Sequence, residues 1–169
     1  DGRRIMIAWM QNWDTVNAKP HHCRWFGQMS LPRELSVRDG RLIQRPIRAL
    51  EQFRSKPVSY LDITVDGNLT LPGVEGRMVD LELTVRPAHN SGLYQKFAVR
   101  FAQDERYKTA LSSRPHESTL KIDRKFSGSR RAYIHQRRSL VPQTDGTLKL
   151  RIILDRFSLE VFVNDGEQV

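Results

Sequence analysis

The feature that most constrains this fold is the alternation of apolar and polar residues in short runs. The run "DLELTVRP" (80–87) places its two leucines and its valine on one face of an extended chain. The runs "LKLRIILD" (148–155) and "SLEVFVND" (158–165) show the same period of two. This period is typical of strands with one buried face, because successive side chains of a strand point to opposite sides. The sequence therefore predicts a chain built mainly from half-buried β-strands.

Turn signals between these runs indicate how the strands are connected. Asp-Gly pairs favour tight hairpins, because both residues tolerate a positive φ. Short strands with turn signals roughly every 8–12 residues are typical of an antiparallel β-sandwich, which we predict over 55–169. The pairs are Asp39-Gly40, Asp66-Gly67, Asp145-Gly146 and Asp165-Gly166.

The segment "RPIRALEQFR" (45–54) is the one stretch whose pattern predicts a helix. Pro46 lies at its first turn, and Ile47, Leu50 and Phe53 recur at helical spacing. This helix divides the chain into residues 1–44, a linking segment 45–54 and the sandwich 55–169.

The first segment, 1–44, carries all three tryptophans in about four predicted strands. Its run "RIMIAWM" (4–10) is continuously apolar, which predicts a strand buried on both faces. Four strands are too few to close a core alone, so we expect the segment to belong to a larger sheet. A chain that begins on a strand is expected to be part of something longer.

Composition limits the possible partners. The 169 residues carry a net charge of +9, and the densest basic cluster is "DRKFSGSRRAYIHQRR" (123–138). Because no zinc-finger spacing or phosphate loop accompanies it, we interpret this cluster as a solvated face and predict no nucleic-acid partner. No apolar run approaches the ~20 residues of a membrane span, so no membrane partner is predicted. Cys23 is alone, which excludes an intrachain disulfide but leaves the cellular location open.

A search for self-contained chemistry finds no complete catalytic set. The "HHC" string (21–23) lacks a second ligand pair at metal-site spacing, so neither a metal nor another cofactor is predicted. Asp80 and Glu82 share one strand face, at a spacing of about 7 Å that resembles an inverting carboxylate pair. On an alternating strand we interpret them as solvent-facing. Asp155 and Glu160 are expected to form structural ion pairs with Arg156 at a turn. No catalytic residue is predicted.

Three strings of this sequence resemble the β-fructosidases of glycoside hydrolase family 32. The run "IMIAWMQNWD" leads into "RWFGQMSLPRELSVRDGRLIQRP", which is similar to the last propeller blade of that family. The end of the chain, "LRIILDRFSLEVFVNDGEQV", is similar to the closing motif of its sandwich. Matching residues are Ile7, Trp9, Met10, Asn12, Trp13, Gly27, Met29, Ser30, Leu31, Pro32, Arg33, Glu34, Leu35, Gly40, Leu42, Gln44, Pro46, Asp155, Arg156, Ser158, Glu160, Val161, Phe162, Asn164, Asp165 and Gly166.

The resemblance implies a fold and an activity for the family. Its enzymes carry a five-bladed β-propeller followed by a β-sandwich, so the implied fold is all-β, an antiparallel sandwich preceded by the last blade. They hydrolyse terminal β-fructofuranosides with retention, using carboxylates in Asn-Asp-Pro-Asn, Arg-Asp-Pro and Glu-Cys strings. None of these strings occurs in the 169 residues. We therefore expect this chain to be inactive alone.

By the same resemblance, two tryptophans are candidate substrate-binding residues. Trp13 and Trp9 lie on the strand whose end would approach the propeller axis, and an indole face can stack on a sugar. Trp13 is the better candidate, with pocket wall and core equally open to it, whereas Trp9 lies within the apolar run and is expected to belong to the core. Arg33 and Glu34 are expected to pair in the seam between blade and sandwich.

Three classes of function are left open by the sequence. The first is the C-terminal part of a hydrolase acting on sucrose, sucrose phosphate or fructan. The second is a fructan-binding module without catalysis, and the third is a basic domain associated with nucleic acid. We also expect the chain to form a homo-oligomer, because Ile5, Ile7 and Trp9 would leave an apolar strand edge open.

Overall fold

The computed structural model describes residues 2–10, 24, 27–128 and 135–169, and it consists almost entirely of β-strands. Two 3-10 helices, Arg48–Phe53 and Pro115–Glu117, are the helical elements in these ranges. The strands are β1 (Arg4–Met6), β2 (Arg33–Arg38), β3 (Arg41–Pro46), β4 (Val79–Val85), β5 (Phe97–Phe101), β6 (Lys108–Arg114), β7 (Thr119–Phe126), β8 (Gln136–Leu140), β9 (Leu148–Leu154) and β10 (Leu159–Val163).

Contacts divide the chain into two compact units. The first unit comprises 1–8, 30–84 and 148–169, and the second comprises 9–29 and 85–147. The first unit holds two three-stranded sheets, in the orders β1-β2-β3 and β10-β9-β4. The second unit holds a four-stranded sheet in the order β5-β6-β7-β8, whose neighbours are all antiparallel.

The β2–β3 hairpin forms where the Asp39-Gly40 pair predicts it. Arg38 pairs with Arg41 across the turn, and both turn residues have positive φ, 51° for Asp39 and 73° for Gly40. Two positive values are what a two-residue type I′ turn requires. By contrast, Asp66-Gly67 lies within 55–78, where the structure has no helix or strand, so that predicted hairpin is wrong.

The strands β4, β9 and β10 form where the alternating runs predict them. Leu148, Leu150 and Ile152 of β9 are fully buried, which confirms the predicted apolar face. In β10, however, Glu160 and Phe162 are buried together with the valines on the opposite face. Alternation predicted one buried face for β10, and that was wrong because the outer face packs against β2 residues described below.

The apolar run at the N-terminus differs from its prediction. Only Arg4–Met6 forms a regular strand, and the side chains of Ile5 and Ile7 are 46% and 51% exposed. The prediction of burial on both faces is therefore wrong for this structure. The reason is topological, because β1 is the edge strand of its sheet and pairs with β2 alone among the described strands.

The linking helix is shorter and tighter than predicted. It is a 3-10 helix over Arg48–Phe53, while Pro46 ends β3 and Ile47 precedes the first helical turn. Phe53 is 79% exposed, so the apolar spacing does not mark a buried helical face. No helix in the described ranges is long and apolar enough to cross a membrane.

The core of the second unit combines apolar side chains with a buried polar cluster. Leu111 of β6 and Leu120 of β7 are buried. Beside them, the hydroxyls of Tyr94 and Ser113 donate hydrogen bonds of 3.1 Å and 3.0 Å to Oε1 of Gln143. Burial raises the pKa of Tyr94, which keeps its hydroxyl protonated as a donor. Sequence reasoning missed this cluster, because its members are distant along the chain.

Candidate functional site

A buried polar site of the first unit centres on Glu160 of β10. Its carboxylate accepts a 2.6 Å hydrogen bond from the backbone N–H of Leu31, just before β2. Arg33 of β2 donates from Nη2 at 2.7 Å and from Nε at 3.3 Å to the other carboxylate oxygen. We call this contact region the β2–β10 seam, comprising Leu31, Arg33 and Gln44 on one side and Glu160 and Phe162 on the other.

Arg33 is held in the β2–β10 seam by two further contacts. Its Nη1 donates to Oε1 of Gln44 at 2.9 Å, and its guanidinium lies 5.6 Å from the centre of the Phe162 ring. The side chains of Arg33 and Glu160 are only 14% and 3% exposed. Because a buried charge is costly unless it is paired and hydrogen-bonded, these contacts mark a structural site.

The neighbouring Glu34 points to the other face of β2 and pairs with two more arginines. It accepts from the backbone N–H of Arg48 at 3.0 Å and from Nη1 of Arg3 at 3.3 Å. The backbone hydrogen bond of Arg48, with those arginines, lowers the pKa of Glu34. The prediction that Arg33 and Glu34 form ion pairs is therefore confirmed.

The predicted pairing of Asp155 and Glu160 with Arg156 is wrong for Glu160. That carboxylate turns to Arg33 instead, because the strand β10 brings it under β2 rather than toward the turn. At the turn itself, the backbone N–H of Asp155 donates to the carbonyl of Ser158 at 2.9 Å.

Asp80 and Glu82 of β4 belong to a second ionic cluster, which we call the β4 cluster, rather than to a plain solvent face. Arg151 of β9 donates two hydrogen bonds to Asp80, from Nε at 3.0 Å and from Nη2 at 2.8 Å. Arg54 donates to Asp80 at 2.7 Å and to Glu82. Glu51 completes the cluster with contacts to both arginines, at 2.8 Å and 3.0 Å.

The electrostatics of this cluster oppose acid–base catalysis. Partial burial tends to raise the pKa of Asp80, but the hydrogen bonds from Arg151 and Arg54 outweigh it and lower the pKa. In return, the hydrogen bond to Asp80 raises the pKa of Arg54. A general acid working near neutral pH needs a raised carboxyl pKa, which is the reverse of what Asp80 has. The cluster is therefore suited to holding β4 and β9 with the linking helix.

The two candidate sugar-binding tryptophans differ in what the structure describes. Trp9 forms an isolated antiparallel bridge with Met29 in the second unit, and its side chain is 48% exposed. Beside it, the backbone N–H of Met10 donates to the carbonyl of Gln28 at 3.0 Å. Trp13 lies outside the described residues, as does the "HHC" string. Within the described ranges, no group of three metal-ligating side chains occurs.

Two family profiles match the chain in sequence order. The profile described as "Glycosyl hydrolases family 32 N-terminal domain" matches residues 1–46. The profile described as "Glycosyl hydrolases family 32 C terminal" matches residues 49–169. The β2–β10 seam thus joins one residue from each matched range, Arg33 and Glu160.

Similar proteins include several sugar hydrolases. The chain is 33% identical to a levanase of Bacillus sp. (strain L7), over all of this chain and 19% of the relative. It is 35% identical to a raffinose invertase of Escherichia coli, over 99% of this chain and 33% of the relative. The chain therefore spans a third or less of the length of these relatives.

Solved structures share the fold at lower identity. Sucrose-6-phosphate hydrolase from Lactobacillus gasseri superposes with a TM-score of 0.73 at 21% identity, covering 99% of this chain and 33% of that one. An exo-inulinase from Aspergillus awamori superposes with a TM-score of 0.71 at 21% identity, covering 96% of this chain and 33% of that one. With the antiparallel sheets, these likenesses confirm the predicted all-β class of propeller blade and sandwich.

The fold and the profile matches together place the chain in the class of glycoside hydrolases. The chain belongs to glycosyl hydrolases family 32, since the C-terminal profile alone covers well over half of its residues.

Proposed function

We propose that this chain forms the last propeller blade and the accessory β-sandwich of a β-fructofuranoside-cleaving hydrolase. The observation that carries the proposal is the ordered match of both family profiles over 1–46 and 49–169. The β2–β10 seam supports it, because a buried ion pair at the junction suits two modules that work as one protein. The names of the relatives, a levanase and a raffinose invertase, favour sucrose-like sugars or fructans as substrates.

We further propose that the chain does not catalyse hydrolysis by itself. Retaining hydrolysis needs one carboxylate as nucleophile and another, with a raised pKa, as acid and then base. The three family strings that supply the catalytic carboxylates do not occur in the sequence. Asp80 and Glu160 are instead held by arginines, whose hydrogen bonds occupy their carboxylate oxygens.

The proposed contribution to substrate binding is an indole platform. A half-exposed indole such as that of Trp9 can stack on the C–H face of a fructosyl ring. Trp13 is proposed for the same role on the strength of the resemblance. In this arrangement the reaction occurs on residues of other blades, and this chain supplies part of the pocket wall.

Turnover measurements test the proposal directly. The purified chain is incubated with sucrose, raffinose, levan or inulin, with a full-length sucrose-6-phosphate hydrolase as positive control, and released fructose is measured. We expect no release above the enzyme-free blank. Turnover that Asp80→Asn abolishes would contradict the proposal and move the chemistry to the β4 cluster.

Binding measurements separate this role from that of a fructan-binding module. Titration with levan, followed by tryptophan fluorescence, is compared for the chain and for Trp9→Ala. Weak or absent binding fits a pocket wall that needs its other blades. Tight levan binding lost in Trp9→Ala would favour the binding module instead.

A further inference from the structure

One asparagine of the sequence fits the acceptor pattern for N-linked glycosylation. The asparagines are Asn12, Asn17, Asn68, Asn90 and Asn164, and only Asn68 is followed two positions later by a hydroxyl residue, Thr70. The residue between them is Leu69, and the pattern Asn-x-Ser/Thr requires only that this residue is not proline. A pattern of three residues can occur by chance, so its structural setting decides whether a transferase can reach it.

The acceptor pattern lies in an exposed segment without regular secondary structure. No helix or strand occurs over 55–78, and every residue from 61 to 70 is exposed. A modifying enzyme has to draw its acceptor peptide into its own binding groove. Because no strand ladder or helix has to open for this step, residues 68–70 meet the requirement in the folded chain. Exposed loops of this kind are also where processing of folded proteins concentrates.

Contacts at its base anchor the loop that carries Asn68. The hydroxyl of Tyr60 donates a 2.6 Å hydrogen bond to the carbonyl of Pro72. The backbone N–H of Val74 donates to the carbonyl of Leu71 at 3.1 Å. These two contacts lie outside residues 68–70, so a group added to Asn68 does not replace them.

The turn beside Asn68 has room for a bulky group. Gly67 turns the chain with a φ of +94°, and a Cβ added to it would meet no atom within 4 Å. In a packed turn the same test gives a different result, since a Cβ added to Gly146 would lie 2.7 Å from the side chain of Pro87. Leu69, on the other side of Asn68, is 51% exposed. The acceptor is therefore bordered by exposed chain.

We propose that Asn68 carries an N-linked glycan, which requires that the protein is exported. The donor is an oligosaccharide linked to a polyprenyl diphosphate, and an oligosaccharyltransferase catalyses the transfer. The side-chain amide nitrogen of Asn68 forms a bond to C1 of the first sugar, while the bond from C1 to the diphosphate oxygen breaks. The amide gives up one proton, and polyprenyl diphosphate leaves. This modification is separate from fructoside cleavage and does not rest on the proposed function.

The experiment is peptide mass spectrometry on the full-length protein isolated from its source organism. Trypsin, which does not cleave before proline, releases Asn68 in peptide 55–77 and Asn90 in peptide 78–96. Asn90 is the internal control, because it is exposed but is followed two positions later by Gly92 instead of a hydroxyl residue. We expect sugar on peptide 55–77, assigned to Asn68 by fragmentation, and none on peptide 78–96.

A matched pair of variants tests the role of the hydroxyl residue. Thr70→Ala should lose the glycan completely, whereas Thr70→Ser keeps a hydroxyl group and should retain the glycan. Thr70 is exposed, so both variants should fold like the unchanged protein. Circular dichroism of the two purified variants checks that a lost glycan does not reflect a folding failure.

Three outcomes would overturn the proposal. The first is an unmodified peptide 55–77 in the protein from its source organism. The second is an equal amount of sugar on peptide 78–96, since the modification would then ignore the hydroxyl residue. The third is sugar that persists in Thr70→Ala or that fragmentation assigns to Thr64 or Thr70, which would identify O-linked modification instead.

Discussion

Glu160 of β10 holds Arg33 of β2 in a buried ion pair, with 2.7 Å between Oε2 and Nη2, although the two residues are 127 positions apart in sequence. The two residues lie in different sequence strings that resemble the family, Arg33 in "SLPREL" and Glu160 in "SLEVFVND". The pair therefore gives a physical reason for both strings, because each supplies half of the β2–β10 seam.

Breaking this pair should strongly destabilise the chain. Glu160→Gln or Arg33→Met leaves the other group buried without its charge partner, which costs about 3–5 kcal/mol. Urea unfolding followed by tryptophan fluorescence measures the loss in unfolding free energy. The double variant Arg33→Met/Glu160→Met should lose less unfolding free energy than the two single variants combined, because it leaves no isolated buried charge.

Arg38→Met provides the matched control on the same strand. Arg38 pairs with Glu167 at 2.8 Å, but both side chains are about 40% exposed, 42% and 38%. Exposed pairs contribute about 0–1 kcal/mol, so this change should be nearly neutral. Equal losses for Arg33→Met and Arg38→Met would show that burial of the seam pair has no energetic consequence.

Gly166→Ala should be among the most damaging small substitutions. Gly166 has a φ of +95°, and an added Cβ would lie 2.2 Å from the carbonyl oxygen of Gln44. Backbone strain and overlap together should cost at least about 3 kcal/mol. Gly40→Ala is the control, because its φ of +73° is strained but no atom lies within 4 Å. The control should lose only about 1–2 kcal/mol in thermal or urea unfolding.

The loss of folding stability at acidic pH should depend on Asp80. The pKa of Asp80 is lower in the folded chain than its usual 3.8, so its ionised form stabilises the fold. This contribution is complete above the unfolded pKa and is lost as pH falls through the lower folded pKa. Asp80→Asn should therefore be less stable than the unchanged chain at pH 7, and the two should converge below about pH 4.

Urea unfolding at a series of pH values checks this convergence. Asp66→Asn is a suitable control, since Asp66 lies in 55–78, outside the β4 cluster. For Asp66→Asn, the free energy of unfolding plotted against pH should run parallel to that of the unchanged chain. Divergence of the Asp80→Asn curve on acidification would mean that the arginines do not stabilise the ionised carboxylate.

Self-association through β1 is the fourth prediction. Ile5 and Ile7 are each about half exposed, at 46% and 51%, on or beside an edge strand. Exposed apolar edges favour pairing with a second strand. Sedimentation velocity should show oligomers of the chain at increasing concentration and a monomer for Ile5→Lys/Ile7→Lys. Val37→Lys, an exposed change on the hairpin, should leave the oligomer intact.

Local structure was the part of the fold most open to sequence-based prediction. The strands β4 and β9 and the Asp39-Gly40 turn follow from side-chain alternation and local backbone preference, which act over a few residues. The helix at 45–54 was placed correctly but was too long, because apolar spacing alone does not distinguish an α-helix from a short 3-10 turn. Burial of Glu160 was missed, since a period-two pattern assigns it to solvent.

The sequence by itself determined the family, the all-β class and the absence of the catalytic strings, because these depend on residue order alone. Only the tertiary structure decided which charges meet. Arg33 could have paired with any nearby carboxylate, and Asp80 with any arginine, until strand register set the distances. Ion pairing falls off with separation in space and not in sequence, so the β2–β10 seam and the β4 cluster became visible only in the folded chain.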